Sequence, residues 1–135
     1  MGKINWARVF LCGIVAGLVG YLLQVSFFVY VLPETELRAV VEATGRPISG
    51  PLHAGLHVAA GIWSMWLYAA IRPRYGPGPK TATVAGLSLW IIASVIDGVW
   101  ASVGLIPLRA LAVPLAVTLP ICVVATLAGA WFYKE

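Results

Sequence analysis

Between Thr81 and Ile106 the chain reads TATVAGLSLWIIASVIDGVWASVGLI, a stretch in which Asp97 is the only charged residue. A helix rises about 1.5 Å per residue and the hydrocarbon core of a bilayer is about 30 Å thick, so about 20 mostly apolar residues suffice to cross it. The stretch meets that length with residues to spare. Its apolar residues run on without alternating with polar ones, which excludes the strand of a transmembrane barrel. A helix, which satisfies every backbone N–H and C=O within itself, is the remaining solution in hydrocarbon.

Outward from this segment, Val9 to Leu32, Pro51 to Ile71 and Ala110 to Tyr133 have the same character, and Arg8, Glu34, Arg46, Arg72, Lys80, Arg109 and Lys134 separate them. Of the 135 residues, 61% are hydrophobic and 10% charged, against ~45–50% and ~25% in soluble domains. A globule this small hides only about two-thirds of the surface its unfolded chain exposes, so water is the wrong solvent for it. The composition also excludes a disordered tail, and two isolated cysteines do not make a disulfide-stapled module. The reading is an all-α fold: a four-transmembrane-helix antiparallel bundle forming a single integral membrane domain over residues 1–135, with spans at 9–32, 51–71, 81–106 and 110–133.

Lys3 and Arg8 before an apolar run imitate a secretory signal. The run is too long, and Phe27, Phe28, Tyr30 and Leu32 stand where small residues would mark a cleavage site, so this is a retained helix. Of the nine lysines and arginines, Lys3, Arg8, Arg72, Arg74, Lys80 and Lys134 fall on one side of the membrane and Arg38, Arg46 and Arg109 on the other. By the positive-inside rule both termini and the central loop are cytoplasmic. The net charge of +4 therefore reports topology and gives no reason to invoke nucleic acid. The connection Pro33 to Gly50 predicts a short amphipathic helix at the outer surface: Pro33 suits a first turn, Leu37, Val40 and Val41 recur at helical spacing, and Gly45 supplies a stop. A tight turn between Ile106 and Arg109 makes the last two spans a hairpin.

Small and polar residues fall on one stripe of each span: Gly13, Gly17, Gly20 and Gln24; His53, His57, Gly61, Ser64 and Tyr68; Trp90, Ser94, Asp97, Ala101 and Gly104; Pro114, Thr118, Cys122, Ala125 and Gly129. Steps of three and four keep each set on one helical face. Membrane helices associate through small residues and hydrogen bonds, because lipid supplies no hydrophobic drive between them. These stripes are the expected bundle interior, and the Gly13/Gly17 GxxxG pair serves either that interior or a dimer. By helical rise from the outer ends, His57, Gln24, Thr118 and Asp97 lie about 9, 13, 13 and 15 Å deep. They are expected to form one polar layer, with His53 a turn above it.

An ionised carboxylate at the centre of a span costs roughly 3 kcal/mol even on the lenient insertion scale, so such a residue faces the interior and finds a partner. For Asp97 the first candidate is His57, with Arg109 or Arg46 reaching down as alternatives. The pair reads in three ways. It is a clamp between two helices, contributing about 0.6–2 kcal/mol; or it carries a proton or ligand, together with Gln24 and Thr118; or it joins His53, spaced i, i+4 from His57, in holding a metal ion. A metal ion is the one cofactor this set admits. The zinc protease signature needs Glu at position 54, where Ala54 stands, and two histidines on one side of a helix do not bracket one haem. No nucleophile-elbow sequence accompanies Ser64 or Ser94, so the sequence leans against an enzyme. Cys12 and Cys122 sit about 16 Å apart in depth, which excludes a disulfide. Trp6 and Trp131 suit the inner interface, whereas Trp63, Trp66 and Trp90 are expected to pack.

The central loop RPRYGPGPK, Arg72 to Lys80, resembles a phosphate loop only superficially, because Pro77 and Pro79 lack the backbone donors of such a cradle. It reads as a stiff turn whose Arg72, Arg74 and Lys80 meet anionic lipid headgroups. The stretch YAAIRPRYGPGPKTA, Tyr68 to Ala82, and the ending AGAWFYKE, Ala128 to Glu135, resemble a group of small bacterial four-helix membrane proteins of similar length that carry no assigned activity. The resemblance implies a bacterial inner membrane and transfers no site residue. Small multidrug exporters are similar in size but use a glutamate in the first span, where this chain has Gln24. Two function classes follow. One is a non-enzymatic scaffold or accessory subunit in contact with the lipid bilayer and other membrane subunits. The other is a small proton-linked or metal-linked transporter, working as a homo-oligomer through Asp97 and His57.

Overall fold

The computed structural model describes residues 4–32, 36–45 and 49–133. Lys3, Pro33, Glu34, Arg46 and Lys134, to which the sequence assigns charges or a helix start, lie outside the described residues, as does the Leu37 side chain. The first long helix, α1, spans Trp6–Tyr30 and begins three residues before the charge boundary at Arg8 suggests. Asn5 caps it, its side chain accepting from the Arg8 N–H at 3.2 Å and satisfying one of the donors a helix start leaves open. A short helix, α2, covers Glu36–Ala43 in the connection between the first two long helices, and Gly45 ends it with a φ of 60°.

Helix α3 spans Gly50–Tyr75, with Pro51 in its first turn. It runs past Ile71 and carries Pro73 in its last turn, stopping where Gly76 adopts a φ of 83°. Helix α4 starts at Pro79 and ends at Ser102, short of the expected Ile106. The cause is a glycine stop. Gly104 takes a φ of 80°, its N–H bonds Ala101 O at 3.0 Å, and the Leu105 N–H bonds Trp100 O at 3.1 Å, the pairing of a Schellman motif. Hydropathy misses this stop because Val103, Leu105 and Ile106 are themselves apolar. The turn after α4 is therefore wider than a tight Ile106–Arg109 bend, with a 3-10 turn at Leu108–Leu111 leading into α5, Ala112–Phe132.

These are four helices long and apolar enough to cross a membrane. They pack as a bundle in which α1 and α4 each touch α3 and α5 and do not touch each other. One end is closed by a core that draws Val9 and Cys12 of α1, Met65 and Tyr68 of α3, Ala82 and Ala85 of α4, and Tyr133 after α5 into one cluster. The start of α1, Tyr133 and the α3–α4 loop thus gather at this end. The loop is fastened there: the Gly78 N–H donates to Tyr68 Oη at 3.2 Å, and Thr81 Oγ1 donates to Gly76 O at 2.6 Å.

The closest packing is between α1 and α3. A Cβ on Gly17 would stand 2.5 Å from Val58 Cα, and one on Gly61 would collide with the backbone of Gly13 and Gly17. The GxxxG pair therefore serves a contact within the chain. Helix α4 makes such an approach once, at Gly86, where a Cβ would meet Cys122 O at 2.8 Å. Thr81, Ala82, Ala85 and Gly86 are buried, yet from Leu87 to Ser102 no residue of α4 is. After Gly86 the helix turns bulkier side chains, Leu89 and Trp90, toward the bundle and stands off from it. At the opposite end Arg109 of the 3-10 turn pairs with Glu36 of α2, Nε to Oε2 at 2.7 Å, both side chains well exposed. Large apolar side chains, Leu22, Val95 and Trp63 among them, cover the outer surface, and Trp63 at 52% exposure does not pack inside as expected.

Candidate functional site

Where α4 stands off, a cavity of about 210 Å³ opens between the four long helices. It is lined by residues from every predicted stripe: Gly17, Gly20 and Gln24 of α1; His57, Gly61 and Ser64 of α3; Asp97 of α4; Thr118, Cys122 and Ala125 of α5. Gln24, His57, Asp97 and Thr118, expected to share one layer, line this one space. Its remaining walls are mostly small or aliphatic, among them Ala16, Ala60, Leu89, Ala93 and Ile121.

Local structure explains each placement. The His57 ring lies beside Gly20, its Nδ1 at ordinary contact distance, 3.5 Å, from where a Cβ at that position would stand. Asp97 follows Leu89 and Ala93 at steps of four, so the carboxylate is carried on the cavity face of α4. Trp90 ties that helix to α5, its indole N–H donating to Leu115 O at 3.0 Å. Pro120 sits inside α5 between Thr118 and Cys122; with no N–H of its own it leaves the Ala116 carbonyl without the usual helical donor.

The hydroxyls on the wall are committed to backbone. Ser64 donates to Gly61 O at 2.9 Å, Thr118 to Pro114 O at 2.9 Å and Thr126 to Cys122 O at 2.8 Å. Asp97, His57 and Gln24 are different: among the described residues their side chains make no hydrogen bond or ion pair. The anticipated Asp97–His57 clamp is not formed, and the two groups face the same space unjoined. Arg109, the other described candidate for Asp97, is engaged with Glu36 at the end of the bundle opposite the Val9–Tyr133 core.

His53 stands one turn above His57 but does not line the cavity. Its ring packs edge-on to His57, centroids 4.7 Å apart, and lies 5.8 Å from Tyr21 and 5.6 Å from Phe28. Its Nε2 is buried without a hydrogen-bond partner. Among the described residues no three His, Cys, Asp or Glu side chains are placed to hold a metal ion, so His53, His57 and Asp97 do not form a ligand set. In the loop, Arg74 and Lys80 are exposed while Arg72 is half-buried, its guanidinium carbon 5.5 Å from the Tyr133 ring centroid.

Thr126, Leu89 and Ala93 were not singled out as site residues by sequence reasoning. Thr126 lies four residues from Cys122, and Ala93 and Leu89 lie four and eight from Asp97, so counting turns from the polar residues would have found all three. No protein family, curated protein or solved structure matches this chain.

Proposed function

We propose that this multi-pass membrane protein handles a small solute through its intramembrane cavity, in a proton-linked cycle whose working groups are Asp97 and His57. One observation carries the reading: Asp97 lies on the wall of an open cavity with no protein partner among the described residues. A carboxylate inside a span is tolerated when something compensates it. A clamp to His57 would have supplied that compensation and left no role for the space beside it. Here the partner is whatever occupies the cavity: a proton on Asp97, water, or a solute. In such a cycle Asp97 holds either the proton or the solute, His57 and Gln24 orient the bound species, and Thr118 offers it an oxygen. The division of lysines and arginines sets both termini and the Arg72–Lys80 loop in the cytoplasm, with Arg74 and Lys80 against anionic headgroups. We place the chain in a bacterial inner membrane on the resemblance at Tyr68 to Ala82, and as a homo-oligomer because four helices rarely enclose a pathway alone.

The test is proton movement in proteoliposomes carrying a trapped pH-sensitive dye, with an imposed solute gradient. Wild-type protein is expected to couple the two, and Asp97→Asn to abolish the coupling while eluting as a folded species. Equal coupling in both would overturn the reading. A second reading, an accessory subunit, draws on α4, which is the least buried of the four long helices and offers Val95, Val99 and Trp100 outward. Native mass spectrometry of the gently extracted complex separates the two: other polypeptides in fixed ratio support the accessory subunit, and a homo-oligomer supports the solute-handling reading.

A further inference from the structure

We infer that the cavity selects a small primary or secondary ammonium with a compact apolar body. This rests on the reading of the cavity as a solute site and adds the chemical class. A hydroxyl has one proton to donate, and those of Ser64, Thr118 and Thr126 are already given to carbonyls at 2.8–2.9 Å. Toward the cavity each therefore offers only acceptor lone pairs. The ionised carboxylate of Asp97 is likewise acceptor-only. The donors are the amide of Gln24, one ring nitrogen of His57 and, weakly, the thiol of Cys122. Among the described residues no lysine or arginine lines the space, so none of them balances the charge of a carboxylate or phosphate. An acceptor-rich wall with one anionic group calls for a ligand that is cationic and brings several N–H donors.

Size and wall chemistry complete the description. A dry cavity of about 150 Å³ holds a benzene ring, and this one measures about 210 Å³, leaving space for one ring and a short charged arm. Ala16, Ala60, Leu89, Ala93 and Ile121 supply the apolar surface against which the body rests. The walls contain no aromatic cage, the feature that recognises a quaternary ammonium lacking N–H groups. Recognition therefore rests on hydrogen bonds from nitrogen to Asp97 and the wall hydroxyls.

The experiment is isothermal titration of the full-length protein in lipid nanodiscs, with empty nanodiscs subtracted, using benzylammonium, benzyltrimethylammonium, benzyl alcohol and benzoate. Charge-assisted hydrogen bonds predict that benzylammonium binds about ten- to a hundredfold tighter than benzyl alcohol or the trimethyl analogue, with no benzoate binding. Asp97→Asn is expected to bring benzylammonium down to the level of benzyl alcohol. Benzoate or the trimethyl analogue binding as tightly as benzylammonium overturns the inference in wild-type protein alone, whether or not the variant folds. So does the absence of any benzylammonium binding. Proton coupling to another solute without benzylammonium binding overturns the ligand class and leaves the transport reading standing. Asp97-dependent benzylammonium binding with no proton coupling supports the class and overturns transport.

Discussion

Gly17→Ala puts the α1–α3 contact to a quantitative test. The added methyl would lie 2.5 Å from Val58 Cα and 2.6 Å from His57 O, where ordinary contact begins at 3.4 Å, a shortfall of about 0.9 Å. Both obstacles are backbone, so no flexible side-chain end can swing aside, and α1 must move off α3. Overpacking of this kind costs about 1–3 kcal/mol, offset by about 0.5–1 kcal/mol because alanine restricts the unfolded chain more than glycine does. A net loss of up to about 2.5 kcal/mol is expected, and a loss of about 1–3 kcal/mol relative to a glycine-to-alanine change in open space. The assay is reversible unfolding in mixed micelles on titration with a denaturing detergent, followed by far-ultraviolet circular dichroism. Gly55→Ala and Gly98→Ala serve as matched controls, since a Cβ at either position meets nothing within 4 Å. They are expected to be neutral or to gain up to about 1 kcal/mol. If Gly17→Ala falls within about 0.5 kcal/mol of the controls, the two helices do not approach as described and the packing argument fails.

Trp90→Phe removes the indole donor to Leu115 O and is expected to cost about 0.5–1.5 kcal/mol in the same assay; no change would mean that α4 and α5 are held by other contacts. Ala93→Phe, at an exposed position on the cavity wall, is expected to eliminate benzylammonium binding while shifting stability by no more than about 0.5 kcal/mol. Binding that survives with unchanged affinity would place the ligand elsewhere. A double-mutant cycle on Glu36 and Arg109 is expected to give a coupling below about 1 kcal/mol that shrinks as salt is raised, since both side chains are exposed. A larger, salt-insensitive value would mean that the pair is shielded in the membrane-bound protein.

The spans were legible because each is long, apolar and bounded by charge, and the stripes were legible because three- and four-residue steps share one helical face and small residues let membrane helices approach. Gly13 and Gly17 were legible as a packing motif, though not whether they serve α3 or a second copy. Helix ends were less legible: Gly104 stops α4 through its backbone angle while apolar residues continue on both sides, and Pro73 is tolerated in the last turn of α3. The polar layer was found by depth arithmetic, but its nature was not. Whether Asp97 clamps to His57 or faces open space depends on the separation of α3 and α4. That separation is set by Gly86, Leu89 and Trp90, which no count of polar residues weighs. His53 shows the same limit, since its helical spacing from His57 is right and the rings of Tyr21 and Phe28 draw it away from the cavity.

The close approach of α4 to α5 at Gly86 lies near the fastened end of the helix. The loop below it is fastened through Tyr68 and Thr81, and above it the helix carries no buried residue. Asp97 stands eleven positions beyond Gly86, an arm of about 16 Å at the helical rise. Rocking α4 by about 10° about Gly86 moves the carboxylate through about 3 Å. The width of the chamber that Asp97 lines thus varies with the tilt of α4, which the Trp90 bond to Leu115 O on α5 restrains.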